Sequence, residues 1–579
     1  INMYIKSINV KNYRNIEDCL ISFSYPSTFI VGENNLGKTN LLKLLQCVFN
    51  RTMLSEDDFA DPDIEVSLVI KLILEDYEIG FFNDFADSSN YRQLSIRASV
   101  DDPSSEFHFF HDESGEEISG ALVRRVCYFL FESLNADSRT LDYSKDRGVG
   151  RVLTRSLTKY QEVSGLETLD FFDEGKLQDL ISYLNTMLGK LSILSGYGVH
   201  AGIDNSETGA LGSIVTLTEA NNLHFRHASS GVQYVTLAVM QILEALMKLS
   251  KRKLEQCVFQ DDDGRKNLSV IIAFDEPEVH LHPYMQRTLT KYLESIACGQ
   301  DEDFNSLLKE LFGVDAISAQ LIVVTHSPSV VPHDYKKIVR FHSDAQSKLA
   351  VSIGSGISMT DSEETRLVAL FDTVKEAFFS RAAIVVEGES EVMSFPGFAE
   401  NLGCDLDANG IIMVNAHGKE SVPAVYRLLE KFGLPVWSIV DRDKKNAVLS
   451  GGERTTEQQD FEAEVIESMF ASGRQDVFID LLEQCEQSLG RRKVIPGSQL
   501  AKYAGKYLSD RLVGQVFFDT DFTGERFDGA FSDDPFTRLM MYSWMSNQKG
   551  VLFGKLLGLQ LPLASIPTCY SNLIKDVVR

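Results

Sequence analysis

Phe29–Leu45 reads FIVGENNLGKTNLLKLL. Three apolar residues run into Gly32-Glu-Asn-Asn-Leu-Gly37-Lys38-Thr39, and apolar residues at helical spacing follow at Leu41, Leu42, Leu44, Leu45 and Val48. Strand, glycine-rich loop and helix is the order that a phosphate-binding loop requires. Its glycines let main-chain N–H groups turn inward around a phosphate, and the helix N-terminus adds the positive end of its dipole. Lys38 is expected to reach the β and γ phosphates, and the Thr39 hydroxyl to hold Mg2+. Gly37 and the polar neighbours Asn35 and Asn40 belong to the same candidate nucleotide site.

On the N-terminal side, Met3–Ile21 alternates as a strand, a turn near Asn12–Asn15 and a second strand; Met3 is expected to be the natural start. Such a pair suits an antiparallel sheet leading into a parallel core. Asp63–Tyr77, Leu94–Val100 and Glu106–Phe110 are expected to be further strands. From Leu157 to Leu194, leucines and their like recur at helical spacing between charges (Leu177, Leu180, Leu184, Leu188, Leu191), which predicts an inserted helical segment. A packed subdomain is the preferred reading of it, a partner-binding arm the alternative. Next, Ser230-Gly231-Val232-Gln233 precedes a long apolar helical run. A buried strand, Leu268–Phe274, ends in Asp275-Glu276-Pro277-Glu278. Two carboxylates at a strand end are what Mg2+ and the attacking water of ATP hydrolysis need: Asp275 supports the metal, and Glu276 orients and deprotonates the water. A last strand, Gln320–Val324, ends in Thr325-His326-Ser327, with His326 placed to sense the γ phosphate.

The motifs change after a helical stretch at Asp361–Phe379. Arg381–Glu391 is RAAIVVEGESE: a buried strand, then Glu387-Gly388, then Glu391 where a helix opens. Ile411–Val414 is a second strand, and Leu434–Val440 a third, ending in Asp441-Arg442-Asp443. Alternating strands and helices imply a parallel sheet with crossover connections. Ligands of such sheets lie beyond the carboxyl ends of the strands, where Glu387, Asp441 and Asp443 converge. Carboxylates without clustered cysteine or histidine suit Mg2+ or Mn2+ rather than Zn2+. Lys549, before a C-terminal apolar helix, is a candidate phosphate-facing cation; Lys444-Lys445 and Arg491–Lys493 are candidate contacts to a DNA backbone.

The 579 residues exceed one ordinary core, so several domains are expected. The net charge of −27 argues against binding to nucleic acid by overall attraction but leaves local basic patches or bound metal ions open, and an acidic surface equally serves solubility, so charge alone decides nothing. No apolar run is read as long enough to span a membrane, and no signal peptide is recognised, so a cytoplasmic protein is expected. The eight cysteines lack CxxC pairs, which points to neither zinc nor disulfides but to thiols in a reducing compartment.

Taken together, Gly32–Thr39, Ser230–Gln233, Phe274–Glu278 and Thr325–Ser327 resemble the Walker A, signature, Walker B and switch-histidine motifs of ABC-type ATPases, and Asn12-Tyr13-Arg14 resembles a strand–turn of their chromosome-maintenance branch. The resemblance implies ATP held between two heads, with Arg14 at the nucleotide and Ser230, Gly231 and Gln233 of one head completing the site of the other. Val232 departs from the usual second glycine, and Val126–Glu132 offers no Q-loop glutamine. The second half resembles a Toprim domain. That implies metal held by Glu387, Asp441 and Asp443 against a scissile phosphate, with Glu391 as a further ligand. Asp460–Glu464 resembles the acidic stretch that supplies another ligand, aligned on Glu462; a helix start stabilised by its dipole is the alternative.

An ABC head followed by Toprim resembles the OLD (overcoming lysogenization defect) nucleases, with the Gabija nuclease and retron-associated effectors as relatives. The expected fold is α/β and multidomain. It comprises an ABC-type ATPase head (3–156 and 201–356), a helical, dimerisation-like insertion (157–200), a helical bridge (357–380) and a parallel Toprim nuclease domain with a helical extension (381–579). Implied with it are an ATPase and a Toprim DNA endonuclease, nicking or cutting both strands, that serves antiphage defence. ATP and Mg2+ or Mn2+ are the implied cofactors at both sites. DNA, a second or further copy of the chain (dimer or tetramer through heads and insertion) and a defence partner protein or retron RNA–DNA are the implied partners, with no membrane. The alternative is an ATP-driven DNA-maintenance or scaffold protein whose Toprim part binds without cutting.

Overall fold

The computed structural model describes residues 3–82, 85–132, 148–164, 174–203, 215–218, 229–249, 251–261, 263–442, 453–490, 494–495, 497–507, 522–523 and 534–579. The chain divides into two compact units, Ile1–Gly356 and Ile357–Arg579.

In the first unit, β1 (Tyr4–Tyr13), β2 (Ile16–Ser22), β4 (Val66–Ile73), β5 (Gln93–Val100) and β6 (His108–His111) form an antiparallel sheet in the order β2-β1-β4-β5-β6. The expected strand to Tyr77 stops at Ile73, because Glu75 and Glu78 cap a helical turn, Asp76–Ile79. β3 (Ser27–Gly32) belongs to a second sheet, with β7 (Tyr128–Phe131), β10 (Val258–Gln260), β11 (Lys266–Asp275), β12 (Ala316–Val324), β13 (Ile338–Ser343) and β14 (Leu349–Ile353). A separate ribbon pairs β8 (His200–Ile203) with β9 (Val215–Thr218). In the second sheet β12 lies between β11 and β3, all three parallel, so the tips of β3, β11 and β12 share one edge.

Parallel strands covered on both faces read as continuous apolar runs rather than alternation. Successive side chains still point to opposite faces. Phe29, Phe274 and Val323 therefore enter one apolar cluster, while Ile30, Ala273 and Val324 enter another. The second cluster is filled by helix α1 (Lys38–Asn50) through Leu41, Leu42, Leu44, Leu45 and Val48, together with the antiparallel sheet. The first is filled by α2 (Ser230–Lys248) and α3 (Pro283–Ala297). Within the segment 157–200, Leu180, Leu184, Met187, Leu188 and Leu191 also enter this cluster, and Tyr183 and Lys190 bond Glu310. Leu166 and Leu169, which share the helical spacing expected of this segment, lie outside the described residues.

Two expectations from composition are corrected. α2 is 19 residues long and apolar enough to cross a membrane by length and composition, but 72% of its apolar window is buried inside this unit. Cys127 and Cys257 form a disulfide, and the other six cysteines are in no disulfide. The two partners are 130 residues apart in sequence, so no local spacing announces them. They meet because β7, which follows Cys127, and β10, which follows Cys257, both pair with β11.

The second unit holds a wholly parallel sheet, β16 (Ile411–Asn415), β15 (Ala382–Val386), β17 (Val436–Val440) and β18 (Glu453–Thr455), in that order. Helix α4 (Glu389–Asn401) follows β15 and crosses α5 (Val551–Gln560) through small residues. A Cβ on Gly558 would lie 2.7 Å from the Ser394 carbonyl oxygen, and one on Gly397 2.5 Å from Gly558 C. Since main chain meets main chain there, Gly558→Ala is expected to cost about 1–3 kcal/mol, read as a lower thermal unfolding midpoint. An unchanged midpoint would show that the helices can separate without loss.

Candidate functional site

The β3–α1 loop is built from strained backbone that the sequence accommodates. Gly32 has φ 126°, and a Cβ there would lie 1.9 Å from the Phe341 carbonyl oxygen on β13, so only glycine fits. Asn35 takes φ 63°, which asparagine tolerates better than most side chains. The loop wraps the buried Lys38, whose Nζ donates to the carbonyls of Gly32 (3.0 Å) and Glu33 (2.5 Å). Burial pulls the Lys38 pKa down to about 8, against the nearby carboxylates Glu276 and Asp275, which favour its charge.

A cavity of about 770 Å3 brings together Arg14, Asn35, Gly37, Lys38, Thr39, Asn40, Glu276 and His326. Asp275 stands beside it: the Thr39 hydroxyl donates to its Oδ1 at 3.1 Å. Burial raises the Asp275 pKa despite that bond. Glu276 sits in the left-handed region at φ 52°, and its Oε1 is 3.4 Å from His326 Nε2. Burial, and then Lys38, lower the His326 pKa against the pull of Glu276. Arg14 is held by Asp58 (2.6 Å) and donates to Asn40 Oδ1 (2.7 Å). Ser230, Gly231 and Gln233 do not line this cavity; they open α2, with Ser230 exposed. Arg226–Ala228, just before them, lie outside the described residues.

Sequence reasoning missed Asn15, Asn34, Asp58 and Glu278 here. Asn15 and Asn34 line the cavity, and Asn15 Oδ1 accepts from Asn40 Nδ2 at 2.9 Å. Glu278 was quotable from its motif, but its partner, the main chain of His326, lies 48 residues on.

In the second unit a cavity of about 320 Å3 gathers Glu387, Glu391, Asp441, Glu462 and Lys549 at the carboxyl ends of β15 and β17. Asp443 and the runs Lys444-Lys445 and Arg491–Lys493 lie outside the described residues. The Asp441 main-chain N–H donates to Glu387 Oε1 (2.8 Å), and Asp441 Oδ1 accepts from Phe461 N (3.1 Å). Asp460 caps the helix Phe461–Ser472 by accepting from Ala463 N, and Tyr542 OH donates to its other oxygen. That cap presents Glu462, only 1% exposed, with Oε2 2.8 Å from Lys549 Nζ. Lys549 is delivered by the α4–α5 crossing, where Gly550 N donates to Ser390 Oγ at 3.1 Å. Lys419, also missed, donates to the Asp441 carbonyl at 3.0 Å.

These carboxylates repel one another. Burial first, then Glu387, Glu391, Asp460 and Glu462, push Asp441 up to about 8; burial and Glu462 push Glu391 to about 7. Burial also raises Glu462, and Lys549 opposes it. An oxygen-only set of mutually repelling carboxylates, with Glu462 Oε2 buried and held only by the Lys549 ion pair, fits a hard divalent cation. Among the described residues no three acidic, histidine or cysteine side chains already stand close enough to share one ion. Two of the oxygens are engaged instead by the N–H groups of Asp441 and Phe461.

Comparison with known proteins agrees with both halves. Residues 3–119 and 128–331, more than half of the chain, match the AAA ATPase domain family. Residues 378–443 match the overcoming lysogenization defect protein-like TOPRIM domain. An OLD nuclease of Thermus scotoductus is 24% identical over 479 residues, covering 76% of this chain and 82% of that protein. A Septu protein PtuA of Bacillus thuringiensis is 22% identical over 340 residues, covering 57% of this chain and 73% of that protein. The solved C-terminal region of the Burkholderia pseudomallei OLD protein aligns with 35% of this chain and 100% of its own, at 19% identity and a TM-score of 0.22. The chain therefore belongs to the AAA ATPase domain family and carries, on the same polypeptide, a TOPRIM domain like that of the overcoming lysogenization defect protein.

Proposed function

We propose that the protein is a metal-dependent DNA endonuclease whose cutting is controlled by ATP binding and hydrolysis at paired ATPase heads. The observation that carries this reading is the gathering of Glu387, Glu391, Asp441, Glu462 and Lys549 in one cavity at strand ends, on a chain that also carries a phosphate-loop cavity. A protein that only bound DNA through its Toprim part would need no such repelling set of buried acids.

At the nucleotide, Lys38 exchanges the Gly32 and Glu33 carbonyls for phosphate oxygens, so its charge passes from one set of acceptors to another without becoming bare. Thr39 and Asp275 would hold Mg2+. Glu276 lines the cavity and takes the proton of the attacking water, while His326 fixes the Glu276 carboxylate. Ser230, exposed in its own chain, and the neighbouring Gly231 would complete the site of a second copy.

In the Toprim cavity, Glu387, Glu391, Asp441 and Glu462 would hold Mg2+ or Mn2+; Asp443, two positions beyond Asp441, is proposed as a further ligand from the sequence. When bound, the metal supplies Lewis acidity and an activated water. Lys419 holds the Asp441 main chain, and Asp460 with Tyr542 holds the helix that presents Glu462. Lys549 neutralises Glu462 and offers its charge to the phosphate being cut. An antiphage role is proposed from the family resemblance.

Supercoiled plasmid incubated with Mn2+ or Mg2+, with and without ATP, is expected to become nicked or linear; plasmid left intact under every nucleotide condition removes the nuclease reading. Glu276→Gln is expected to keep ATP binding, slow turnover roughly 100-fold, and accumulate ATP-dependent dimers in sedimentation. Equal dimer content with and without ATP would count against nucleotide-driven pairing.

A further inference from the structure

The turn after β11 carries two glutamates with opposite orientations. Glu276 lines the nucleotide cavity; Glu278, 9% exposed, does not. Glu278 Oε1 instead accepts the main-chain N–H of His326 at 2.6 Å, tying the β11 turn to the tip of β12. Three more bonds hold the same junction. The Glu276 N–H donates to the Val324 carbonyl at 2.9 Å. Gln286 on α3 donates to the Leu281 carbonyl at 2.9 Å and accepts the Ser327 hydroxyl at 2.5 Å. A bond from a main-chain N–H to a buried carboxylate is short and stronger than a neutral one. The left-handed Glu276 persists only if its surroundings over-determine it, and these bonds are the surroundings.

We propose that Glu278 is a positioning residue for ATP hydrolysis: by fixing the main chain at His326 it sets the imidazole against the Glu276 carboxylate. The inference rests on reading the phosphate loop as an ATPase site. Glu278 transfers no proton; its task is that of an acceptor, which a carbonyl oxygen can also perform. Of the two glutamates in Asp275-Glu276-Pro277-Glu278, only the first is then the base.

The test measures steady-state turnover, and separately ATP binding, on the full chain. Glu278→Ala is expected to lower kcat at least about 10-fold with KM and ATP affinity within about twofold. Glu278→Asp keeps the charge but withdraws the acceptor by one methylene, and is expected to behave like alanine, which keeps the test open if the alanine variant fails to fold. Glu278→Gln keeps an acceptor oxygen and is expected to recover kcat to within about threefold of the natural protein. In a His326→Ala background, adding Glu278→Ala is expected to cost less than about twofold more, because the two act as one unit. Additive losses, or a glutamine variant as impaired as the alanine one, would overturn the proposal. If the natural protein shows no turnover and Lys38→Ala binds ATP as well as it does, the ATPase reading itself has failed; turnover with additive losses removes only the role of Glu278.

Discussion

Lys38→Ala is expected to abolish ATP turnover, a loss of at least about 1000-fold, and to weaken ATP binding in direct titration. Lys38 is 4% exposed and sits inside the loop that nucleotide must enter, its ammonium on two carbonyls of that loop. Removing it leaves the Gly32 and Glu33 carbonyls, together with Asp275 and Glu276, facing the polyphosphate without the ammonium that offsets them. Arginine is expected not to restore turnover, since a planar guanidinium has no room where an ammonium is enclosed. Because burial lowers the Lys38 pKa to about 8, the lysine is charged at pH 7 and discharges as pH rises past that value. ATP affinity of the natural protein is therefore expected to be weaker at pH 9 than at pH 7. Turnover retained by the alanine variant would place the nucleotide elsewhere.

Asp441→Ala is expected to remove plasmid cleavage by about 1000-fold or more, well beyond the 10–100-fold typical of losing an outer partner of a metal site. Its carboxylate is the one on which Glu387, Glu391, Asp460 and Glu462 all act. The same crowding makes a second, independent expectation about stability. A carboxyl raised to about 8 when folded, from its ordinary 3.8, binds its proton more tightly folded than unfolded. The folded state then holds more protons across that window, so stability falls as pH rises from about 4 to about 8. Glu391, raised to about 7, adds in the same direction. In chelator, the natural protein is expected to have a lower urea midpoint at pH 8 than at pH 6. Asp441→Asn is expected to flatten that difference, and Mn2+ to restore the midpoint at pH 8. Cleavage by the alanine variant at the natural rate would move the chemistry off β17.

What could be read in advance followed the range of the physics involved. The β3–loop–α1 order, the strand ending at Asp275 and the strand ending at Asp441 are local patterns: burial, turn chemistry and helical spacing all act within a dozen residues. The parallel sheet of the second unit followed from alternating strands and helices, and the comparisons place a TOPRIM domain there. Partners could not be read. Asn15 Oδ1 meets Asn40 across 25 residues, Asp441 N meets Glu387 across 54, and Lys549 meets Glu462 only because two helices cross elsewhere. The disulfide between Cys127 and Cys257 has the same origin, since strand pairing and not spacing brings its halves together. α2 misleads for another reason: a core helix and a membrane helix are equally apolar, and only the packed structure separates them.

The crossing of α4 and α5 has a consequence for precision. Side chains normally set the spacing of two helices, and rotamers give that spacing slack. Where Gly554 and Gly558 lie on the Ser390 and Ser394 main chain, no rotamer intervenes, and the spacing is fixed by covalent geometry alone. Glu391 and Lys549, both at the N-terminal end of this contact, are thus referenced to a single rigid ruler, although 158 positions of chain separate them. The last thirty residues are in that sense an alignment jig for the acidic cavity, and trimming them would blur its charges before it unfolded anything.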